Sequence, residues 1–249
     1  MSTLLSIETT SFYGSIALFD DGALLECKSL DTSCRSAQSL APGIQILLRD
    51  HGKSMSELDR IAVAQGPGSF TGLRVGITTA KVLAYSLGID VVGVNTLDAM
   101  ALGVARGSGE TPDRIDCVID AQRREVFLGR YERREGGILS RNDQIEIVAI
   151  ESWLAGISRD VFVSGDVLRK LSKQDPSMLE AVLWSDEDVA IVDDCNMPSA
   201  QWVGMLALQP ELVQISEETP NEASAEITSA FSLLPRYYRR SAAEEKLGR

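Results

Sequence analysis

Residues 66–88 read GPGSFTGLRVGITTAKVLAYSLG, a glycine-rich bend followed by a long helical pattern. The Gly-Pro-Gly sequence at 66–68 predicts a tight bend, because proline fixes φ and glycine adopts backbone angles that other residues avoid. Ser69 or Thr71 can then supply the side-chain oxygen that caps a helix. Since the short apolar segment 59–65 predicts a buried strand, we expect strand, loop and helix in that order.

One row of the predicted helix consists of very small side chains. The residues four apart along it are Gly72, Gly76, Ala80, Ala84 and Gly88, and such residues share one side of a helix. An interior glycine costs about 1 kcal/mol of helix stability relative to alanine. Close approach of another backbone is the usual reason for keeping one. The row therefore predicts a close neighbour, which is either the protein's own sheet or helix, or a helix of a partner protein.

Strand and helix patterns on both sides of this stretch indicate the fold class. Residues 1–30 predict a β-hairpin and a third strand, 36–50 a helix with one apolar face, and 89–94 a strand that leads into a helix. A Gly-, Ser- and Pro-rich linker at 106–113 precedes a second predicted hairpin over 114–133. Mixed strands and helices indicate an α/β fold, and the repeated hairpin indicates two similar lobes.

The linker gives the expected domain boundary. We assign residues 1–105, with the glycine-loop helix, to an amino-terminal lobe and residues 106–249 to a smaller carboxyl-terminal lobe. The helix predicted at 198–209 can return to the first lobe. We therefore expect two α/β lobes with mixed sheets flanked by helices.

Composition indicates a cytoplasmic protein. Hydrophobic residues make up 44% of the chain and charged residues 24%, which is typical of soluble domains. No apolar run approaches the roughly 20 residues needed to span a bilayer, and the amino terminus lacks the basic segment of a signal peptide. The cysteines are scattered, without a C-x-x-C pair, and are expected to be reduced: Cys27, Cys34, Cys117 and Cys195.

The net charge argues against unaided binding of nucleic acid. The chain has 36 acidic and 24 basic residues, a net charge of −12, whereas such binding needs a positive surface. Two groups of arginines are present: Arg123, Arg124, Arg130, Arg133 and Arg134, and then Arg236, Arg239 and Arg240. We expect them to be solvated or paired with acids. The alternative is a nucleic-acid-facing patch that acts only in a larger complex.

Histidine content excludes several kinds of active site. The chain contains one histidine, His51, so it cannot hold a metal with two histidine ligands. Its polar surroundings predict a solvated loop residue. A serine–histidine arrangement also lacks support, because nothing in the sequence places Ser69 near His51. We expect no metal site and no catalytic residue.

Three segments together resemble one known family. They are GPGSFTGLRVG at 66–76, the hairpin LLSIETT at 4–10 and IDAQRREVFLGRY at 119–131. They resemble the TsaB (YeaZ) family, and the likeness extends to PRYYRR at 235–240. The residues that match its motifs are Gly66, Pro67, Gly68, Ser69, Phe70, Thr71, Gly72, Arg74, Gly76, Ile77, Asp120, Ala121, Arg123 and Glu125. Gln122 and Glu8 stand where relatives more often carry arginine and aspartate.

The resemblance implies a fold and a function. The fold is actin-like, with two ribonuclease H-like lobes of the kind found in sugar kinases. The function is that of a non-catalytic partner in the bacterial complex that makes threonylcarbamoyladenosine (t6A) in tRNA. The implied partners are the catalytic subunit TsaD and the ATPase TsaE, with tRNA reached only through the complex. The resemblance also implies that the protein can pair with itself when alone, and no cofactor is expected.

The glycine-loop helix would form the partner interface. On this hypothesis the interface residues are Gly68, Ser69, Phe70, Thr71, Gly72, Leu73, Gly76, Ile77, Ala80 and Ala84. The alternative function is a stand-alone actin-like ATPase or kinase. The residues that could face a nucleotide, as a working site in that alternative or as a vestige of one otherwise, are Glu8, Thr9, Thr10, Asp120 and Gly165. Carboxylates at such turns are also common turn formers, and the glycoprotease label once attached to this superfamily lacks a metal or an activated nucleophile here.

Overall fold

The computed structural model describes residues 2–239 except 12, 32–35, 108–111, 142, 159, 166, 168–169, 172–196 and 216–222. The described strands are β1 Thr3–Glu8, β2 Ser15–Asp20, β3 Ala23–Ser29, β4 Arg60–Gly66, β5 Asp90–Asn95, β6 Arg114–Gln122, β7 Glu125–Arg133, β8 Leu139–Arg141, β9 Glu146–Ala149, β10 Phe162–Ser164, β11 Val213–Ile215 and β12 Ala225–Thr228. The described helices are α1 Ser36–Asp50, α2 Phe70–Leu87, α3 Thr96–Gly107, α4 Ile150–Gly156 and α5 Ala200–Leu208. Short 3-10 turns lie at Met55–Glu57, Glu135–Gly137 and Pro210–Leu212.

The first sheet has the strand order β12-β5-β4-β1-β2-β3. The strands β1 and β2 form the predicted antiparallel hairpin, while β1, β4 and β5 run parallel. Parallel neighbours need a crossover connection, and α2 is the crossover between β4 and β5. The glycine loop therefore lies at the carboxyl end of β4, which is where open α/β sheets usually place their ligand sites.

Both faces of the first sheet are covered. Successive side chains of a strand point to opposite faces, and in β1 the residue Leu4 packs with α3 and α5. Its neighbour Leu5 packs on the other face with apolar side chains of α1 and α2. This double coverage explains why the central strands are short, nearly continuous apolar runs.

The second sheet has the order β10-β6-β7-β8-β11, with β9 also paired to β7. The strands β6 and β7 form the second predicted hairpin. One face is covered by α4, whose Trp153 and Leu154 pack against Val118 and Leu128. The α/β class with two mixed sheets flanked by helices is therefore confirmed.

The two lobes share one core through α3 and α5. A single apolar cluster contains Phe19 of the first sheet, Met100 of α3 and Val203 of α5. The same cluster contains Ile119 and Tyr131 of the second sheet. The lobes are thus joined by packed side chains as well as by the chain that connects them.

The later part of the chain corrects the expected lobe boundary. The strand β12 pairs antiparallel with β5, so residues 225–228 belong to the first sheet, and assigning all of 106–249 to the second lobe is wrong for this strand. The helix α5 also packs on the first sheet, because Ser6 Oγ donates to the Ala200 carbonyl at 2.7 Å. Of the predicted linker, residues 108–111 lie outside the described residues.

Candidate functional site

The loop between β4 and α2 is tied to the turn of the first hairpin. The Ser69 amide donates to the Thr10 carbonyl at 2.8 Å. A Cβ added to Gly68 would lie 2.4 Å from Thr10 Cβ, so this contact needs glycine. Ser69 caps α2, since its Oγ accepts from the Gly72 amide at 3.3 Å. Of the two capping residues considered, the structure therefore selects Ser69.

The row of small side chains faces the protein's own first hairpin. A Cβ on Gly72 would lie 1.8 Å from the Thr9 carbonyl oxygen, and one on Gly76 would lie 2.4 Å from Thr9 Oγ1. That hydroxyl donates to the Gly72 carbonyl at 2.8 Å. The approach of α2 to its own backbone is therefore what requires the glycines. The hypothesis that a foreign helix occupies this notch is wrong.

The predicted interface set divides accordingly. Six of its members are buried in the core: Gly72, Leu73, Gly76, Ile77, Ala80 and Ala84. Gly68 is half-buried, while Ser69, Phe70 and Thr71 are exposed at the start of α2. Of the predicted set, the start of the helix thus remains open to a partner.

The opposite side of α2 is exposed and partly apolar. Val82 is 57% exposed and Tyr85 is 67% exposed. Counting in fours from Phe70 leads through Arg74 and Thr78 to Val82, all of them outside the core. This spacing is the sequence signal for the exposed side. This spacing is a weaker pattern than the small-residue row on the other side of α2, so the sequence alone did not predict the exposed side.

Residues 229–239, here called the C-terminal segment, extend this exposed surface. Phe231 is 76% exposed and contacts Tyr85 edge-on, with ring centroids 5.3 Å apart. Tyr237 stacks on Phe70 with centroids 4.9 Å apart. We define the outer apolar face as Phe70, Val82, Tyr85, Phe231, Leu234 and Tyr237, all exposed large side chains.

The first hairpin turn encloses the residues predicted to face a nucleotide. Glu8 is fully buried, and its carboxylate accepts from Thr10 Oγ1 at 2.5 Å and from Ser11 Oγ at 3.1 Å. Burial raises the pKa of Glu8, while the hydrogen bonds from Thr10 and Ser11 oppose that rise. Thr9 and Thr10 are also buried. Glu8, Thr9 and Thr10 therefore stabilise the turn, and their side chains are enclosed by it. Their role in facing a nucleotide stays a prediction.

Asp120 and Gly165 lie in the second lobe. The Asp120 carboxylate accepts from Lys170 Nζ at 2.5 Å and from the Gln122 amide at 2.8 Å. Gly165 is buried with φ +148°, and a Cβ there would lie 1.8 Å from the Val118 carbonyl oxygen. Gly165 is thus required for close backbone contact with β6. Asp120 does line a cavity between the lobes.

This inter-lobe cavity has a volume of about 380 Å³. The loop after β4 and the start of α2 line it from the first lobe, and residues 120–122 with Phe127 line it from the second. Residues 236–239 of the C-terminal segment form its third side. The cavity therefore brings together the glycine loop, the turn of the second hairpin and the end of the described chain.

The turn of the second hairpin has an unusual backbone. Three successive residues have positive φ: Gln122 (65°), Arg123 (58°) and Arg124 (62°). Left-handed φ is uncommon for residues other than glycine. The guanidinium of Arg239 donates to the Ala121 carbonyl and to the Glu125 carboxylate. The C-terminal segment thereby holds this turn in place.

The described arginines of the two basic groups have partners. Three form ion pairs with glutamates: Arg124–Glu151 at 2.5 Å, Arg130–Glu146 at 2.9 Å and Arg134–Glu132 at 3.1 Å. Arg236 pairs with Glu226 at 3.1 Å. Pairing with acids was the favoured expectation, and it holds for these residues. Arg240 lies outside the described residues.

His51 and the cysteines play local roles. His51 lies in a turn, as predicted, and is half-buried rather than fully solvated. Its Nε2 lies 2.9 Å from the Glu26 carboxylate. Cys27 and Cys117 are free thiols, and Cys34 and Cys195 lie outside the described residues. No group of three or more His, Cys, Asp or Glu in the described part of the chain could hold a metal ion. None of the described helices is long and apolar enough to cross a membrane.

A buried polar group joins the lobes. The Asp98 carboxylate of α3 accepts from Tyr131 Oη at 2.6 Å and from Arg141 Nε at 2.9 Å. Asp98 and Arg141 are fully buried, and burial raises the pKa of the Tyr131 hydroxyl well above its usual value. No local sequence pattern indicates this group, because its members come from different lobes.

Comparison with known proteins gives one family match over most of the chain. The family model described as "TsaD: tRNA N6-adenosine threonylcarbamoyltransferase" matches residues 31–246.

Curated relatives carry the name tRNA threonylcarbamoyladenosine biosynthesis protein TsaB. The protein of Escherichia coli (strain K12) is 37% identical over 135 residues, which are 54% of this chain and 57% of that protein. The protein of Bacillus subtilis (strain 168) is 33% identical over 153 residues, which are 61% of this chain and 64% of that protein. The chain thus matches less than two thirds of the length of these relatives.

Two solved structures from Pseudomonas aeruginosa are similar over nearly the whole chain. One is YeaZ, with a TM-score of 0.67 and 25% identity, covering 95% of this chain and 100% of that one. The other is described as similar to peptidase YEAZ, with a TM-score of 0.70 and 27% identity, covering 96% of this chain and 100% of that one. With its TsaD-like domain, its TsaB relatives and this shared fold, the chain belongs to the TsaB (YeaZ) family of tRNA threonylcarbamoyladenosine biosynthesis proteins.

Proposed function

We propose that this chain is a non-catalytic partner subunit of the t6A-forming complex and that it binds a TsaD-like catalytic subunit. The observation that carries the proposal is the outer apolar face. Contiguous exposed apolar patches of this kind mark interaction sites in soluble proteins. Here Tyr85 and Phe231 are at least two thirds exposed and are fixed against each other.

The chemistry of the face supports a protein partner. Tyrosine and phenylalanine offer large contact areas with few rotatable bonds, and aromatic residues are enriched at interface centres. The nearby cations are held by the chain itself: Lys81 Nζ donates to the Leu233 carbonyl at 2.9 Å, and Arg74 Nε donates to Tyr237 Oη at 3.2 Å. A partner therefore meets an apolar surface whose charged neighbours are already fixed.

The family match supports a TsaD-like occupant. Because the TsaD family model matches this chain over residues 31–246, the catalytic subunit is expected to contain a domain of the same kind. Two related domains can pair through equivalent surfaces about an approximate two-fold axis. A second copy of this chain would use the same face and would compete with the heterodimer.

The non-catalytic role is supported by the contacts of the side chains that could act in catalysis, because each of them has a structural partner. The single histidine, His51, contacts Glu26, and Glu8 is enclosed in its own turn. Ser69, the nucleophile that a peptidase role would suggest, caps α2. The alternative of an actin-like ATPase predicts phosphate release when ATP and magnesium are added to the pure protein. We expect none, and measurable turnover would favour the alternative.

Recruitment of a TsaE-like ATPase and access to tRNA through the assembled complex complete the proposal. Support for these two steps comes from the family resemblance. The acidic net charge of −12 is consistent with tRNA binding that depends on partner subunits.

The docking hypothesis is tested by Tyr85→Ala and Phe231→Ala. Removing a central aromatic anchor typically costs about 2 kcal/mol or more, so we expect affinity for the TsaD-like subunit to fall roughly 30-fold. Calorimetric titration measures this affinity. Ile46→Ala is the matched control, because Ile46 is an exposed apolar residue on α1, outside the outer apolar face.

The possible results distinguish a TsaD-like subunit from a second copy of this chain as the protein that binds the outer apolar face. Weaker heterodimer formation with both variants and normal binding by Ile46→Ala supports the proposal. Unchanged affinity in both aromatic variants would rule out this face as the TsaD-like docking surface. Light scattering of the chain alone shows whether a homodimer uses the same residues, in which case the variants also reduce its mass to that of a monomer.

A further inference from the structure

The C-terminal segment contains neither helix nor strand, yet its backbone is bound to the first lobe. Gln65 Nε2 donates to the Leu234 carbonyl at 2.6 Å, and the Arg236 amide donates to the Gln65 carbonyl at 2.9 Å. A Cβ added to Gly66 would lie 2.6 Å from the Arg236 carbonyl oxygen. The end of β4 is therefore shaped to receive the segment, which is a fixed part of the fold.

The last described residues of the segment pass from the first lobe to the second. Tyr238 Oη accepts from Asn95 Nδ2, at the end of β5, at 3.1 Å. The ring of Tyr238 lies edge to face with Phe127 of β7, with centroids 6.3 Å apart. The guanidinium of the next residue, Arg239, then contacts the turn of the second hairpin. The segment thus makes specific contacts with both lobes.

Arg239 holds the two sides of that turn together. Its guanidinium donates to the Ala121 carbonyl, just before the three left-handed residues, and to the Glu125 carboxylate, just after them. Left-handed φ in successive residues other than glycine persists only where surrounding contacts hold it. The conformation of the turn therefore depends on where the segment places Arg239.

The outer apolar face includes a residue of the segment that lies very close to Arg239 in the chain. Tyr237 stacks on Phe70 with centroids 4.9 Å apart, and its Oη accepts from Arg74 Nε at 3.2 Å. Because only Tyr238 separates Tyr237 from Arg239, even an extended backbone keeps their Cα atoms within about 7 Å of each other. A displacement of Tyr237 from α2 is therefore passed on to Arg239.

We propose that the C-terminal segment is a latch that couples the outer apolar face to the turn of the second hairpin. While Tyr237 is seated on α2, Arg239 reaches the turn and the left-handed backbone is kept. When Tyr237 leaves α2, Arg239 loses its position and the turn relaxes. One continuous piece of chain makes both contacts, which gives the coupling a physical route. The latch does not depend on the proposed function, because both of its ends belong to this chain.

The experiment measures the turn in the isolated, isotope-labelled chain. NMR relaxation dispersion of the amides of residues 121–125 reports the fraction of molecules in which the turn is open. Tyr237→Ala removes the contact on the outer apolar face, and Arg239→Ala removes the contact with the turn. The double variant tests whether the two residues act through the same route. Circular dichroism verifies that each variant is folded.

Two control variants match these changes outside the segment. Val82→Ala shortens another exposed apolar side chain of the outer apolar face. Arg130→Ala breaks another Arg–Glu ion pair of the second sheet, which joins Arg130 to Glu146 at 2.9 Å. Neither residue belongs to the segment, so the open fraction of the turn should stay at its wild-type value in both controls.

We expect Arg239→Ala to raise the open fraction at least about tenfold, since losing a hydrogen bond between charged groups typically has an effect of that size. Tyr237→Ala should also raise it, by no more than Arg239→Ala does. The double variant should open the turn no further than Arg239→Ala alone, because Tyr237 acts on the turn only through Arg239. If Arg239→Ala does not fold, Glu125→Gln tests the same contact by removing only the charge.

Three results would overturn the proposal. The first is a turn that stays closed when the contact between Arg239 and Glu125 is removed. The second is a turn that opens in Arg239→Ala but is unaffected by Tyr237→Ala, since Arg239 would then act locally. The third is additive opening in the double variant, which would show that the two residues act independently.

A consequence for regulation rests on the proposed function. A TsaD-like subunit that covers Tyr237 should hold the latch closed, so its addition at saturation should lower the open fraction of Glu125→Gln. Calorimetry of the same mixture shows whether the subunit binds. Binding without a change in the open fraction would contradict the coupling. Absence of binding would contradict only the proposed function, because the variants of the isolated chain test the latch by themselves.

Discussion

The contact between α2 and the first hairpin makes Gly72→Ala an informative substitution. The added Cβ would lie 1.8 Å from the Thr9 carbonyl oxygen, whereas ordinary contacts begin at 3.4 Å. The helix and the turn must therefore separate by about 1.6 Å, the difference between these two distances. The obstacle is backbone, so a change of rotamer cannot relieve it.

The expected magnitude follows from two opposing effects. Alanine stabilises a helix interior by about 1 kcal/mol relative to glycine. Overpacking of a core costs about 1–3 kcal/mol. Because the Thr9 carbonyl is rigid backbone, we expect the clash in Gly72→Ala to cost about 3 kcal/mol. The net loss is about 2 kcal/mol of unfolding free energy. For a chain of this size that lowers Tm by roughly 4–8 °C.

Thermal unfolding followed by circular dichroism provides the assay. Gly156→Ala is the control, because Gly156 ends α4 and a Cβ there meets no atom within 4 Å. It should unfold at or slightly above the wild-type temperature. Gly76→Ala provides a second test, since its Cβ would meet the Thr9 hydroxyl at 2.4 Å. Combining it with Thr9→Ala should cost less than the sum of the two single losses.

A particular result would refute this reasoning. If Gly72→Ala unfolds at the wild-type temperature yet binds the TsaD-like subunit much more weakly, the small-residue row is a docking surface after all. Strict additivity of Gly76→Ala and Thr9→Ala in stability would show that Thr9 is not the neighbour that requires Gly76. Loss of stability with partner affinity unchanged in the folded fraction supports the buried row.

Three further predictions concern buried groups. Asp98→Ala leaves Arg141 buried without its carboxylate and should lower the unfolding free energy by about 3–5 kcal/mol in urea titrations; a loss below about 1 kcal/mol would contradict this. Burial raises the pKa of Glu8 above 4.5, so ionising the Glu8 carboxyl costs more free energy in the folded protein than in the unfolded chain. The unfolding free energy of the wild type should therefore fall relative to that of Glu8→Gln as pH rises from about 4.5 through the folded-state pKa. Parallel pH profiles of the two proteins would contradict this prediction. Gly165→Ala meets a β6 carbonyl at 1.8 Å and should destabilise the protein more than Gly136→Ala, whose Cβ meets no atom within 4 Å; equal Tm losses would show that positive φ alone matters.

Local sequence signals predicted several elements correctly. The apolar spacing at 36–50 predicted a helix, and α1 spans Ser36–Asp50. The Gly-Pro-Gly bend predicted the start of the next helix, and α2 begins at Phe70. The apolar spacing and the Gly-Pro-Gly bend are both local, because each lies within a few residues of the helix that it predicts. The family resemblance rests on segments of the same kind and is confirmed by the family match.

The candidate site was predicted less well. Its residues come from α2, the turn of the second hairpin and the C-terminal segment, which are far apart in the chain. Tyr237 contacts Arg74 across 163 positions, and Arg239 contacts Glu125 across 114. No local periodicity reports such contacts. Phe231 and Tyr85 are apolar and carry no motif, so their exposure could be learned only from the packing around them.

The row of small residues on α2 separates what the sequence determined from what only the tertiary structure decided. The sequence alone determined that something must approach α2 closely, because the helical spacing of the row and the cost of its glycines are local properties. The tertiary structure decided what that neighbour is, through Thr9, which lies 63 positions before Gly72. Which side of an amphipathic element is buried depends on the total free energy of contacts distant in sequence. That is why the same pattern fitted a docking seam and a core contact equally well until the fold was known.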